Sequence, residues 1–226
     1  MRVVIAGAHG RVGRRLGRLL SARGDSVVDI VPTPEHEAEL APDSADIVVL
    51  DLEHASVDDL AAVVVNADIV VFAAGAEPAG SAPHKDENDR AAAILLADAA
   101  EQAAVRPYLL MSSMGVESVA GGATPDGLDD VSVAYLRAKW ATEEGVRARP
   151  AVDMTVLRPG HLTEDPGTGA VTLGAGLPAG DVPRDDVAAV MLRLIDRPRP
   201  GSVLEVVSGP TPVDEALAAA SQSVPG

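Results

Sequence analysis

Residues 3–20 read VVIAGAHGRVGRRLGRLL, an apolar run that passes directly into an amphipathic stretch, with Gly7, Gly10 and Gly13 at the join. Glycine weakens strands and helices alike. Three of them at one junction therefore imply a sharp turn or a backbone that must come close to another group. The same alternation continues along the chain. RVVIAG, SVVDIV, DIVVLDL, ADIVVFAAG, RPYLLMSS, DMTVLRPG and SVLEVVSG read as strands. Helical spacing marks GRVGRRLGRLLSARG, with Val12, Leu16, Leu19 and Leu20 on one face and Gly24 as its stop. It also marks PEHEAEL, SVDDLAAVVVN with Ser56 as cap, ENDRAAAILLADAAEQAA, VAYLRAKWATEEGVRAR, RDDVAAVMLRLID and VDEALAAA. Two Gly-rich stretches, 115–130 and 163–183, read as long loops, and HKDEND at 84–89 as a solvated helix start.

Strands that alternate with helices predict parallel crossover units and a sheet covered on both faces. The expected fold is α/β: a Rossmann-type, doubly wound parallel sheet forming one domain over residues 1–226, with a small C-terminal substrate-side segment and with the loops at about 115–130 and 163–183 building the substrate side. Ligands of such sheets sit beyond the carboxyl ends of the strands. The residues expected there are Gly7 to Gly13, Asp51, Ala73 to Gly75, Ser112, Ser113 and Pro159 to His161.

Composition narrows the partners. The formal charge is −16, and phosphate binding requires clustered Lys and Arg, so nucleic acid and anionic membranes are excluded as expected partners. No apolar run approaches the ~20 residues of a membrane helix, and a strand begins at once, which predicts a cytoplasmic protein. The chain has no Cys, which excludes disulfides and thiolate metal sites; no other cluster has metal-ligand spacing. Lys85 and Lys139 are its only lysines. Acidic, lysine-poor chains suit a halophilic, high-salt cytoplasm, and they also arise in ordinary acidic proteins of GC-rich genomes.

Three constellations carry chemistry. The glycine spacing is G-x-x-G-x-x-G, a weak signal alone. Placed between the first strand and first helix, it puts bare backbone amides and a helix N-terminus where a dinucleotide diphosphate can bind. Arg11, Arg14 and Arg15 add positive charge there. In YLRAK, Tyr135 and Lys139 are four apart and share a helical face. A free tyrosine titrates near ~10, and a neighbouring ammonium favours its phenolate and brings it toward working range. Two ordinary surface residues would give the same spacing, but the chain has two Tyr and two Lys in all. In LLMSS, Ser112 and Ser113 end a strand, where a hydroxyl can bond a substrate carbonyl.

Together AGAHGRVG, LLMSS, YLRAK and LRPG resemble an atypical short-chain dehydrogenase/reductase, closest to the short NAD(P)H-binding members that include NmrA-like and flavin/biliverdin-reductase-like proteins. The resemblance covers nearly the whole chain. It implies that Gly7, His9, Gly10, Arg11, Val12 and Gly13 hold the diphosphate end, and that Asp51 and Leu52 lie by the adenine. Ala73, Ala74 and Gly75 would line the adenosine side, and Pro159, Gly160, His161 and Leu162 the nicotinamide. Ser112, Tyr135 and Lys139 would also touch the cofactor, with Ser113, Tyr135 and Lys139 catalytic. His161 matches an active-site histidine of the flavin/biliverdin-reductase type, and an uninvolved loop histidine fits it equally.

One departure bears on the cofactor. Many relatives carry an Arg after the second strand that pairs with a 2′-phosphate; here Pro32 stands about there, and no acid takes the place that favours NAD. Arg11 or Arg14 is left to serve the phosphate, so NADP is expected and NAD stays open. The resemblance implies an NAD(P)-dependent oxidoreductase acting on a small-molecule carbonyl or other electron-poor substrate, as a monomer or homodimer. Two alternatives remain: a non-catalytic NAD(P) sensor or scaffold, and a nucleotide-sugar epimerase or dehydratase. Larger relatives with the latter activities add a C-terminal substrate domain, and little chain follows Gly160 here.

Overall fold

A computed structural model of the chain describes residues 1–40, 46–75 and 83–220, without the side chains of 83–87. Most of HKDEND therefore lies outside the described side chains, although its backbone is helical.

The elements follow in chain order as β1 (Arg2–Ala6), α1 (Arg11–Arg23), β2 (Ser26–Val31), α2 (Pro34–Leu40), β3 (Ile47–Val49), α3 (Val57–Val64) and β4 (Ile69–Phe72). The second half runs α4 (Pro83–Gln102), β5 (Pro107–Met111), a 3-10 helix (Val116–Gly122), α5 (Asp130–Arg147), β6 (Asp153–Pro159), β7 (His161–Thr163), β8 (Ala170–Gly174), β9 (Asp181–Pro183), α6 (Arg184–Asp196), β10 (Val203–Ser208), β11 (Thr211–Pro212) and α7 (Val213–Ala220).

Among the described residues the main sheet has nine strands in the order β11-β8-β10-β6-β5-β4-β1-β2-β3. The run from β10 to β3 is parallel throughout, as expected of a doubly wound sheet, and its order reverses beside β1. The last edge departs from that expectation: β8 lies antiparallel to β10 and also pairs with β11. The stretch 163–183, read as a loop, thus supplies β8 and β9, and β9 pairs with β7 in a separate two-stranded sheet. The loop read over 115–130 likewise contains the 3-10 helix. The third strand shrinks to Ile47–Val49; Leu50 still donates to the Val31 carbonyl of β2 at 2.8 Å, and Asp51 then turns the chain.

Strand alternation builds the two core layers. Val3 and Ile5 of β1 face α1 and α6, packing with Leu16, Leu20, Val190 and Leu194. Val4 and Ala6 face the other way, against Leu60, Val64, Leu96 and Val146 of α3, α4 and α5. Helix ends follow local chemistry. Gly24 adopts the left-handed conformation (φ 87°) and closes α1, and Ser56 and Asp59 form a reciprocal capping box on α3. Leu19 departs from its expected place on the buried face of α1 and is exposed; Gly13 and Gly17 take up buried positions there instead.

Candidate active site

The glycine turn serves two purposes. Gly7 has φ +87°, and a Cβ there would lie 2.3 Å from the Ala74 amide nitrogen. A Cβ on Gly13 would lie 2.4 Å from the Gly7 carbonyl oxygen. Both glycines are therefore required by protein packing, which draws the β1 and β4 loops together. Gly10 differs. It has an extended conformation (φ −62°, ψ 155°), no side chain caps α1 there, and no acid stands in the first turn of the helix. That leaves a positive helix end with no side-chain cap, the arrangement an anionic diphosphate needs. Val12 contributes only its backbone, since its side chain is in the core.

The arginines of α1 diverge. Arg11 and Arg15 both reach Glu164, each at 3.0 Å, together with Arg184. Arg14 turns to the opposite side, where its guanidinium donates to the Glu39 carbonyl at the end of α2. His9 lies on that side too: its Nε2 is 2.7 Å from Glu39, and its ring meets His36 edge-on at 4.2 Å. Of the two arginines expected near a 2′-phosphate, Arg14 is the one that reaches α2, the helix that follows β2. Asp29, inside β2, is buried.

Asp51 folds back on its own turn. It accepts from the Glu53 amide at 3.0 Å and lies 2.7 Å from His54 Nδ1, and these bonds hold its carboxyl below the ordinary value. Leu52 packs on the core layer of α3 and α4. Neither lines the main cavity.

That cavity, of about 700 Å³, opens at the carboxyl ends of β5 and β6. It brings together Gly75, Ser112, Ser113, Tyr135, Lys139, Pro159, Gly160, His161 and Leu162, all singled out in the sequence. The remaining predicted residues lie at the adjoining glycine turn and the loops after β3 and β4. They join the cavity through Ala73 and Ala74, against which Gly7 packs.

Helix α5 supplies the chemistry. Asp129 caps it by accepting from the Ser132 amide at 2.7 Å. Tyr135, Lys139, Glu143 and Arg147 then follow at four-residue intervals down one face. Lys139 is 8% exposed; its Nζ donates to the Ala74 carbonyl at 3.1 Å and stands 5.9 Å from the centre of the Tyr135 ring. Tyr108, the other tyrosine, is sealed in the core, where its hydroxyl donates to the Ala93 carbonyl and burial pushes its pKa up. Tyr135 is thus the tyrosine that can reach a ligand.

Beneath the cavity lies a buried ion pair that the sequence did not announce. Arg158 donates to both oxygens of Glu143, at 2.8 and 2.7 Å, and also reaches Glu117. Burial pushes the Glu143 carboxyl up, while Ser112 and Arg147 act to keep it charged. Ser112, 5% exposed, is buried near Glu143 without a hydrogen bond to it, and Ser113 is the half-buried serine of the wall, donating to the Met114 carbonyl at 3.2 Å. His161 stands at the rim, 80% exposed, with Nδ1 3.1 Å from Asp181.

Leu128 and the segment 179–181 line the cavity from the two loops expected on the substrate side, whereas sequence reading missed Met111, Met114, Ser132 and Leu136. Ser132 and Leu136 could have been found from helical spacing around Tyr135 and Lys139. The segment 179–181 arrives through β7–β9 pairing, for which no local signal exists.

Comparison with known proteins gives consistent matches. A model of the family described as NAD(P)H-binding matches residues 7–198. The uncharacterized sugar epimerase YhfK of Bacillus subtilis is 28% identical over 222 residues, covering 96% of this chain and 99% of that protein. A Bacillus halodurans structure, provisionally described as an NAD-dependent epimerase/dehydratase, is 31% identical with a TM-score of 0.83, covering 97% and 99% of the two chains. The oxidoreductase ylbE of Lactococcus lactis shares the fold, with a TM-score of 0.82 at 24% identity and coverage of 100% and 99%.

Proposed function

This chain belongs to the NAD(P)H-binding family, and from that premise we propose that it is an NAD(P)-dependent oxidoreductase that moves a hydride between nicotinamide and the carbonyl of a small substrate. One observation carries the reading: Tyr135, Lys139 and Ser113 share a single cavity at the carboxyl edge of the sheet, beside a helix N-terminus without a side-chain cap.

The nicotinamide group, when bound, supplies or accepts the hydride. The protein does the rest. The Gly10 amide is spent on the Gly7 carbonyl at 3.0 Å, so the amides of Arg11 to Gly13 would hold the diphosphate, and Lys139, braced by Ala74, is placed to hold a ribose hydroxyl and to favour ionisation of Tyr135. Tyr135 gives its phenolic proton to the substrate oxygen, and Ser113 orients that oxygen by hydrogen bonding. NADP is the proposed dinucleotide, with Arg14 and His9 facing its 2′-phosphate and NAD as the alternative.

A sugar-epimerase reading draws on the descriptions of the two Bacillus relatives. It would use the same tyrosine to move a proton at a sugar hydroxyl. Titration of the purified protein with NADPH and NADH, followed by NADPH oxidation with small carbonyls and by product analysis of a nucleotide sugar incubated with the protein and NAD⁺ or NADP⁺, separates the two. Absence of binding to either dinucleotide would overturn both.

A further inference from the structure

We propose that the substrate half of this cavity takes an uncharged, mainly apolar aldehyde or ketone and excludes phosphorylated or carboxylated compounds, nucleotide sugars among them. The reacting group rests on the oxidoreductase reading above; the apolar preference rests on the cavity wall.

Beyond Tyr135, Ser113 and Ser132 the substrate side of the lining is apolar, with Met111, Met114, Leu128 and Leu136. Two of the chain's five methionines stand there, and unbranched thioethers adapt to apolar bodies of varied shape. Leu128 is 44% exposed at the cavity, an arrangement that an apolar ligand would relieve.

Charge points the same way. Among the described lining residues no arginine occurs, and Lys139 is the one lysine, turned toward Ala74 and Gly75 on the side proposed for the cofactor. Arg137, between Tyr135 and Lys139 in the chain, is outside the lining and donates to Thr124 and to the Gly122 and Ala123 carbonyls, and other arginines near the cavity in the chain are held by carboxylates. Arg158, one residue before Pro159, is bound inward to Glu143 and Glu117. Arg11, Arg15 and Arg184 converge on Glu164. His161 is coupled to Asp181, whose carboxylate is largely exposed at the rim. A diphosphate or carboxylate entering here would meet an aspartate and no guanidinium, in a chain of net charge −16. Sites that recognise such groups use arginine forks or several amide donors.

The reduction balances within this setting. The carbonyl carbon gains the hydride from the reduced dinucleotide, the C=O π pair moves to oxygen, and that oxygen takes the Tyr135 proton. Alcohol and oxidised dinucleotide leave, and Tyr135 regains a proton from water.

The test compares 4-isopropylbenzaldehyde with 4-formylbenzoate and UDP-glucose. Binding is measured by calorimetry on protein saturated with NADP⁺, and turnover by NADPH oxidation. The expected result is at least tenfold tighter binding of the neutral aldehyde, with Leu128→Arg closing that gap for the carboxylate. Equal or tighter binding of 4-formylbenzoate or UDP-glucose, or no binding of the neutral aldehyde, overturns the proposal. NADPH oxidation by an anionic substrate alone would overturn it too while leaving the oxidoreductase reading intact. Preferential binding of the neutral aldehyde without oxidation would keep the apolar site and remove the redox reading.

Discussion

Gly75 and the ammonium of Lys139 occupy the same small space: a Cβ on residue 75 would lie 2.0 Å from Nζ. The backbone at Gly75 also has φ +143°, which side-chain-bearing residues rarely adopt. The obstructed atom is the tip of a flexible side chain, so Gly75→Ala should displace Lys139 more than it disrupts the fold. We expect near-normal circular dichroism, destabilisation of about 1–3 kcal/mol from strain, and a turnover loss on the order of tenfold or more. Unchanged turnover would show that Lys139 does not act from this position.

Tyr135→Phe removes the hydroxyl and keeps the ring. Turnover should fall by roughly 10²–10⁴-fold while dinucleotide affinity stays within a few-fold. Ser113→Ala should lower turnover less, and Ser112→Ala should act mainly on stability, because Ser112 is buried near Glu143. Steady-state kinetics set beside fluorescence titration of NADPH separates the effects.

The glycines of the first turn should divide into two classes. Gly7→Ala meets backbone at Ala73 and Ala74 and a forbidden φ, and should cost several kcal/mol, on the order of the sum of strain and overpacking. A Cβ on Gly10 would approach the Gly7 oxygen at 3.1 Å without positive φ, so Gly10→Ala should fold and lose dinucleotide affinity. Urea unfolding and cofactor titration on both variants check the division.

Glu143→Ala leaves the Arg158 guanidinium buried without its bidentate partner. Loss of one partner of such a pair costs roughly 3–5 kcal/mol, far more than an exposed pair would. Replacing both residues with apolar ones of similar volume should recover much of that loss in a double-mutant cycle.

Acid stability has a defined local contribution. Burial alone would raise the Asp25 carboxyl, but hydrogen bonds from the Met1 ammonium and Arg23 outweigh it and hold the group below its ordinary 3.8. A carboxyl depressed in the folded state stabilises the protein above its unfolded pKa and loses that contribution as pH falls through the folded value. Asp25→Asn should therefore be less stable at pH 7, by about 1 kcal/mol. The difference should shrink toward zero below pH 3.8 in urea midpoints taken across pH.

Local periodicity was enough to write most of this fold from the sequence. Apolar runs of strand length, the Gly24 stop, the Ser56 cap and the four-residue step from Tyr135 to Lys139 all depend on neighbours within a turn or two, and each has its expected form. The tertiary structure decided the rest. It chose Tyr135 over Tyr108 by sealing the latter in the core, paired Arg158 with Glu143, and gave Gly7 and Gly13 to packing rather than to a ligand alone. It also recruited residues 163–183 as strands, with β8 antiparallel to β10. Those outcomes turn on contacts between segments far apart in the chain, where burial and hydrogen-bond satisfaction of one segment depend on which other segment reaches it, and no local pattern encodes that choice.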